Sequence, residues 1–204
     1  DLGQEAEEIS YETLKLFLTF EYPKIEREIV YSALSNNKEY AFYEGDLSDT
    51  LGHKWNEHDY RKYIFEELVP YNRAKFATLK GHTMMVGSIA RYNLNRGKFG
   101  KLFKEELDNL GIAQNFSNPF DNIIAQAIEN YYFTKLSLNI CREIKQDKIT
   151  QEEILKPKKA GVGTSACEAP RGTLFHHYQT DKDGYITAAD IITPTVQNLP
   201  AMEF

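Results

Sequence analysis

The sequence has 204 residues, 42% hydrophobic and 26% charged, with a formal net charge of −6. A packed core is feasible at that length and composition, whereas general nucleic-acid binding, which needs a basic face, is excluded. No apolar run approaches the ~20 residues that a membrane helix requires.

The first half reads as helical. The acidic start DLGQEAEEIS does not read as a signal peptide. Tyr11, Leu14, Phe17 and Leu18 have helical spacing within 10–20. Pro23 interrupts, and a second helix is predicted from about Lys24 to Leu34. The stretch 39–52 looks irregular or extended, with Tyr40, Phe42 and Leu47 as the inward side of a short strand. A short amphipathic helix is predicted from Glu57 to Leu68, then one whose face carries Met84, Met85, Ile89 and Tyr92, then another from Phe99 to Leu107 stopped at Leu110-Gly111. The strongest helix starts at Asn118-Pro119, a pairing of cap and first helical residue, and stays apolar through Cys141. A capping box of Thr150 and Glu153 suggests one more helix over 150–155.

After Pro157 the texture changes. Gly161, Gly163 and Gly172 suggest a glycine-rich loop, TLFHHYQ and YITAADIIT read as strands, and Asp183-Gly184 between them signals a hairpin. The expected fold class is therefore mainly α, a helical core with a small antiparallel β-hairpin near the C-terminus. The expected organisation is a single domain, with 1–156 mostly helical and 157–204 holding the loop, the hairpin and a Pro-Thr turn.

Chemistry concentrates in this last segment. The loop carries Glu168, Pro170 and Arg171, and Pro194-Thr195 follows the hairpin. A tight hairpin brings its outer ends together, so the Arg171 fork and the Thr195 hydroxyl approach one place and suit a small anionic group. Arg171 paired with Glu168, with Thr195 capping a turn, is the other reading of the same residues. Both stay open on chemistry alone.

Glu168-Ala169-Pro170-Arg171-Gly172, followed by a strand, an Asp-x-Asp-Gly turn and Pro194-Thr195-Val196-Gln197-Asn198, resembles the nickel–iron hydrogenase large subunit. Val86-Gly87-Ser88-Ile89-Ala90-Arg91-Tyr92-Asn93 and Asn118-Pro119-Phe120 resemble two further segments of that family, in the same order. The Thr-x-Gln-Asn ending and the HHY strand look more like its cytoplasmic members, which work with NAD(P), coenzyme F420 or sulfur. The resemblance implies a NiFe(CN)2(CO) cluster and reversible oxidation of H2. It implies that Arg171 donates to one iron cyanide beside the open metal position, that Pro170 belongs to the same wall, and that Thr195 donates its hydroxyl and N–H to the second cyanide. It also implies a magnesium ion that takes the Ile191 carbonyl. Implied partners are a diaphorase-type electron-transfer subunit and an iron–sulfur small subunit.

The departures are large. The family's metals are held by two Cys-x-x-Cys pairs, and the only cysteines here, Cys141 and Cys167, form none. They suit a reduced, intracellular setting. Cys167 reads as a small buried residue rather than a ligand. The sequence is therefore expected to be a piece of a larger subunit, to hold no metal itself and to be inactive alone, with Arg171 and Thr195 as supporting donors. The competing function is a complex I type subunit without metal that binds quinone; the strand after its loop ends in APGF where this chain keeps the hydroxyl of Thr195.

Other motifs are weaker. Asp181 to Asp190 resembles part of a calcium loop, but the first ligand position falls on Gln179 and the last on Asp190 rather than Glu. His176 and His177, adjacent on a strand, point to opposite faces and cannot share a metal from there. Gly161-Val162-Gly163 lacks the lysine of a phosphate loop.

Overall fold

The computed structural model describes residues 2–25, 27–144, 151, 153 and 159–203. In chain order these contain α1 (Leu2–Leu18), β1 (Val30–Ser35), β2 (Asp46–Asp49), β3 (Lys54–Trp55), β4 (Ile64–Leu68), β5 (Lys75–Leu79), β6 (Met84–Met85), α2 (Ser88–Asn95), α3 (Lys101–Asn109), α4 (Asn122–Ile144), β7 (Gly161–Ala169), β8 (Gly172–Thr180), β9 (Ile186–Ile192) and α5 (Pro194–Glu203). Two compact units result: Asp1–Ile25 with Asn118–Lys156, and Glu26–Ser117 with Pro157–Phe204.

The first unit pairs α1 with α4. The Tyr11 and Tyr131 rings lie 5.2 Å apart and Lys135 reaches Glu7 at 3.4 Å. Asn118 caps the turn before α4, accepting from the Phe120 N–H at 3.2 Å, and donates to the Pro23 carbonyl at 2.8 Å. The expected cap at Asn118 and the long helix are both present. The helix expected over 150–155 falls on residues outside the described set, Gln151 and Glu153 aside.

The second unit overturns the mainly helical expectation. Of the described residues 42% are helical and 26% are strand, arranged in three sheets. The largest has the order β3-β2-β1-β6, with β1 antiparallel to β2 and parallel to β6. β4 and β5 form a two-stranded ribbon, and β7-β8-β9 an antiparallel sheet. The core gathers Val30, Leu34, Leu47, Trp55, Ile64, Leu79, Met84, Phe175 and Ile192. Each fully buried side chain of this size contributes roughly 1.5–3 kcal/mol.

The corrections have identifiable causes. The helix expected to end at Leu34 is strand β1, five of whose six residues are buried. A strand covered on both faces loses its alternation and reads like a buried helix segment. The helix expected over 57–68 splits into a 3-10 turn at Glu57–Lys62 and strand β4. Asn56 caps that turn, accepting from the His58 N–H at 3.1 Å. Met84 and Met85 pair with Val30 and Tyr31 as a strand, and the helix starts only at Ser88. The expected glycine-rich loop is β7, held in register with β8 from Gly161↔Thr180 to Ala169↔Gly172. That pairing overrides glycine's poor strand propensity. The Pro-Thr turn is the start of α5, where proline's missing N–H costs nothing.

The expected β8–β9 hairpin is present. Its turn is closed by the Asp181 carboxylate, which accepts from the Asp183 and Tyr185 N–H groups at 2.9 and 3.0 Å. β9 is tied back by Asp190, which accepts from the Tyr60 hydroxyl and from Arg61 (Nε at 2.7 Å). Burial alone would raise the Asp190 carboxyl, but the Arg61 and Tyr60 hydrogen bonds outweigh it and hold the group below its usual range. A depressed carboxylate stabilises the fold above the unfolded pKa, about 3.9, and loses that contribution as pH falls through the native value. Asp190→Asn is therefore expected to cost about 1 kcal/mol at pH 7 and progressively less at pH 3 and below. Denaturant unfolding at both pH values checks this; an equal cost at both would remove the ion pair as its cause.

Candidate functional site

Ala169 and Gly172 are the last register pair of β7 and β8, so Pro170 and Arg171 are the two residues of the turn that joins them. β9 pairs with β8 at Phe175↔Ile192, which puts its exit, and the start of α5, at the same end of the sheet. Arg171 and Thr195 therefore share that end, as expected. Both are exposed, as is Pro170. Among the described residues the Arg171 guanidinium makes no ion pair or hydrogen bond. Thr195 is the second residue of α5, where backbone N–H groups have no partner within the helix. Ile191 lies on the edge strand β9 opposite His176.

The alternative pairing of Arg171 with Glu168 is not what forms. The Glu168 carboxylate is enclosed and its partner is Arg91, at 2.8 Å; their side chains are 1% and 3% exposed. Glu168 also accepts from the Leu34 N–H at 2.9 Å and the Thr173 hydroxyl at 2.8 Å. Burial pushes the Glu168 carboxyl up, while Arg91, the Leu34 amide and Thr173 pull against it. Arg91 also bonds the loop itself and its own helix: the Ala169 carbonyl at 2.9 Å, the Pro170 carbonyl at 3.2 Å and the Ser88 hydroxyl at 3.1 Å.

Asn198, on α5, completes the enclosure. Its amide donates to the Arg171 carbonyl at 3.1 Å and accepts from the Val86 N–H at 2.8 Å. Gln197 donates to the Thr173 carbonyl at 2.6 Å. Two glycines permit the close approach. A Cβ on Gly172, at φ +130°, would lie 2.2 Å from a Val86 methyl, and one on Gly87, at φ +108°, 3.0 Å from the Arg171 carbonyl. Both positions need glycine for conformation and for space.

The remaining residues of the α2 motif also have structural partners. The Tyr92 hydroxyl donates to the Ala113 carbonyl at 2.8 Å, Asn93 exchanges two 2.8 Å hydrogen bonds with Phe116, and Asn95 donates to the Leu34 carbonyl at 2.8 Å. The sequence reading gave Arg91, Gln197 and Asn198 no role. One signal was available: an arginine inside an apolar helical stretch is buried only with a partner. His176 bonds the Tyr178 hydroxyl at 2.6 Å and His177 the Thr164 hydroxyl at 2.8 Å.

A family model described as nickel-dependent hydrogenase matches residues 16–203. The chain belongs to the nickel-dependent hydrogenase family. Among relatives, it is 33% identical to the alpha chain of sulfhydrogenase 1 from Pyrococcus furiosus, over 98% of this chain and 47% of that protein. It is 30% identical to a subunit of the F420-non-reducing hydrogenase from Methanothermobacter marburgensis, over 86% of this chain and 40% of that protein. The crystal structure of an NAD+-reducing [NiFe]-hydrogenase in the H2-reduced state matches 98% of this chain and 49% of that one, with TM-score 0.77 and 19% identity. At that identity the likeness concerns the fold. The chain thus spans about half the length of the curated relatives it matches.

The donor set decides what these residues can hold chemically. An exposed guanidinium, a hydroxyl and free helix-terminal N–H groups suit the outside of an anionic group. They do not suit direct coordination, and among the described residues no group of three His, Cys, Asp or Glu side chains is placed to hold a metal ion. Cys167 is half-buried on β7, with burial and Glu168 raising its thiol pKa, the opposite of what a thiolate ligand needs.

Proposed function

We propose that this chain is part of the catalytic large subunit of a nickel–iron hydrogenase, a cytoplasmic enzyme that reversibly oxidises H2 to protons and electrons. The observation that carries the reading is an exposed Arg171 without an ion-pair partner among the described residues, on a turn clamped from outside, at the same sheet end as Thr195. A NiFe(CN)2(CO) cluster, held by cysteines that this sequence does not contain, would supply the H2-splitting and electron-transfer chemistry when bound.

This chain's residues orient and tune. Arg171 would direct its fork of N–H donors at one cyanide. Thr195 would give its hydroxyl and its N–H to the other cyanide, and Pro170 would present an apolar wall beside them. Donors around a metal group fix its orientation and its electronics. The Ile191 carbonyl is the corresponding candidate for magnesium. A diaphorase-type subunit, reached through an iron–sulfur small subunit, would carry the electrons away.

Thr195→Val in the full-length, metal-loaded enzyme tests the reading. It is expected to lower kcat for H2 oxidation about 10- to 100-fold, the equivalent of one hydrogen bond to a charged group, roughly 1.5–3 kcal/mol. Nickel content should stay at the parent level. Unchanged kcat per bound nickel would remove Thr195 from the site.

A further inference from the structure

We propose that Arg91 and Asn198 are positioning residues for Arg171, fixing the direction in which its guanidinium leaves the turn. The inference rests on the reading of Arg171 given above. Three consecutive carbonyls, those of Ala169, Pro170 and Arg171, are each held by a side chain from outside the turn: the first two by Arg91 and the third by Asn198. The peptide planes on both sides of the Arg171 Cα are therefore anchored. With both planes fixed, φ and ψ of Arg171 are fixed, and so is its Cα–Cβ direction.

The turn needs such anchoring. Two-residue hairpin turns favour positive φ at their central residues. Pro170 is locked at negative φ by its ring, and among the described residues Lys80 is the one non-glycine with positive φ, so Arg171 is negative as well. Turns of that kind splay the flanking strands unless something else holds them. Here Gly172 absorbs the mismatch at φ +130° and the outside donors hold the carbonyls.

The chemistry of the two clamps is specific. Arg91 reaches a carboxylate, a hydroxyl and two carbonyls from one planar fork. A lysine, a point charge on a flexible stem, cannot reproduce that set. Asn198 links the turn to the Val86 N–H, just before α2, so the helix that carries Arg91 and the turn it holds move as one piece.

The experiment compares Arg91→Lys, Asn198→Ala and Arg171→Lys in the full-length, metal-loaded enzyme. Readouts are kcat per bound nickel, KM for H2, the infrared stretching bands of the cyanides, and amide exchange over residues 168–173. Arg91→Lys and Asn198→Ala are expected to lower kcat per nickel roughly 10- to 100-fold, as a small misplacement of a reacting group does, with KM little changed. They should also shift the cyanide bands and speed exchange in the turn. A structural role alone would lower stability or metal content and leave kcat per nickel and the bands at parent values. That result in both variants, with Arg171→Lys altering the same readouts, overturns the positioning role and leaves the functional reading standing. If Arg171→Lys alters nothing, the functional reading fails and this inference with it. Should Arg91→Lys not fold, Asn198→Ala decides alone.

Discussion

Arg171→Lys in the full-length, metal-loaded enzyme is expected to lower kcat for H2 oxidation by about 10²–10³-fold, the usual loss when one preorganised donor is removed from a developing charge. The charge survives the substitution, so the effect isolates the planar fork. Arg171 sits at the tip of the β7–β8 turn, exposed, with no ion pair or hydrogen bond to its guanidinium among the described residues. No described contact of this chain depends on the guanidinium, so nickel and iron content should match the parent. An enzyme that loads metal normally and turns over at the parent rate would sink the assignment.

The second large effect is on stability. Glu168→Ala is expected to destabilise the fold by about 3–5 kcal/mol, because it breaks a buried ion pair by removing one of its members. The pair is 2.8 Å apart, with side chains 3% and 1% exposed, and joins α2 to the end of β7. Burial pushes the Glu168 carboxyl up, while Arg91, the Leu34 amide and the Thr173 hydroxyl pull against it. Glu168→Gln, which keeps an acceptor for the Leu34 amide and the Thr173 hydroxyl, should cost less than Glu168→Ala. Urea unfolding of the parent, Glu168→Ala and Glu168→Gln makes the comparison. A Glu168→Ala cost below about 1 kcal/mol would mean that the pair is solvated.

Much of the site was legible, and the reasons lie in particular residues. Glu168 to Gly172 and Pro194 to Asn198 carry their own punctuation, and the Asp183-Gly184 turn fixes their mutual approach. What failed was burial on both faces. β1 reads like a helix because almost every residue in it is buried, and β7 reads like a loop because its glycines are tolerated only through pairing with β8. Local pattern holds neither fact. The partners of Arg91 and Asn198 lie 77 and 112 residues away in the chain, a separation that only the folded topology bridges. The sequence holds no Cys-x-x-Cys pair, and the fold brings Arg171 and Thr195 to one end of the β7-β8-β9 sheet.

A structure of the full-length protein with its metals bound tests the central claim most directly. The expected result is the Arg171 guanidinium within hydrogen-bonding distance of one iron cyanide and the Thr195 hydroxyl and N–H within that distance of the other, with the Ala169, Pro170 and Arg171 carbonyls still held by Arg91 and Asn198. A metal centre lying away from the Pro170–Arg171 turn, or Arg171 engaged instead with a carboxylate elsewhere in the protein, would contradict it.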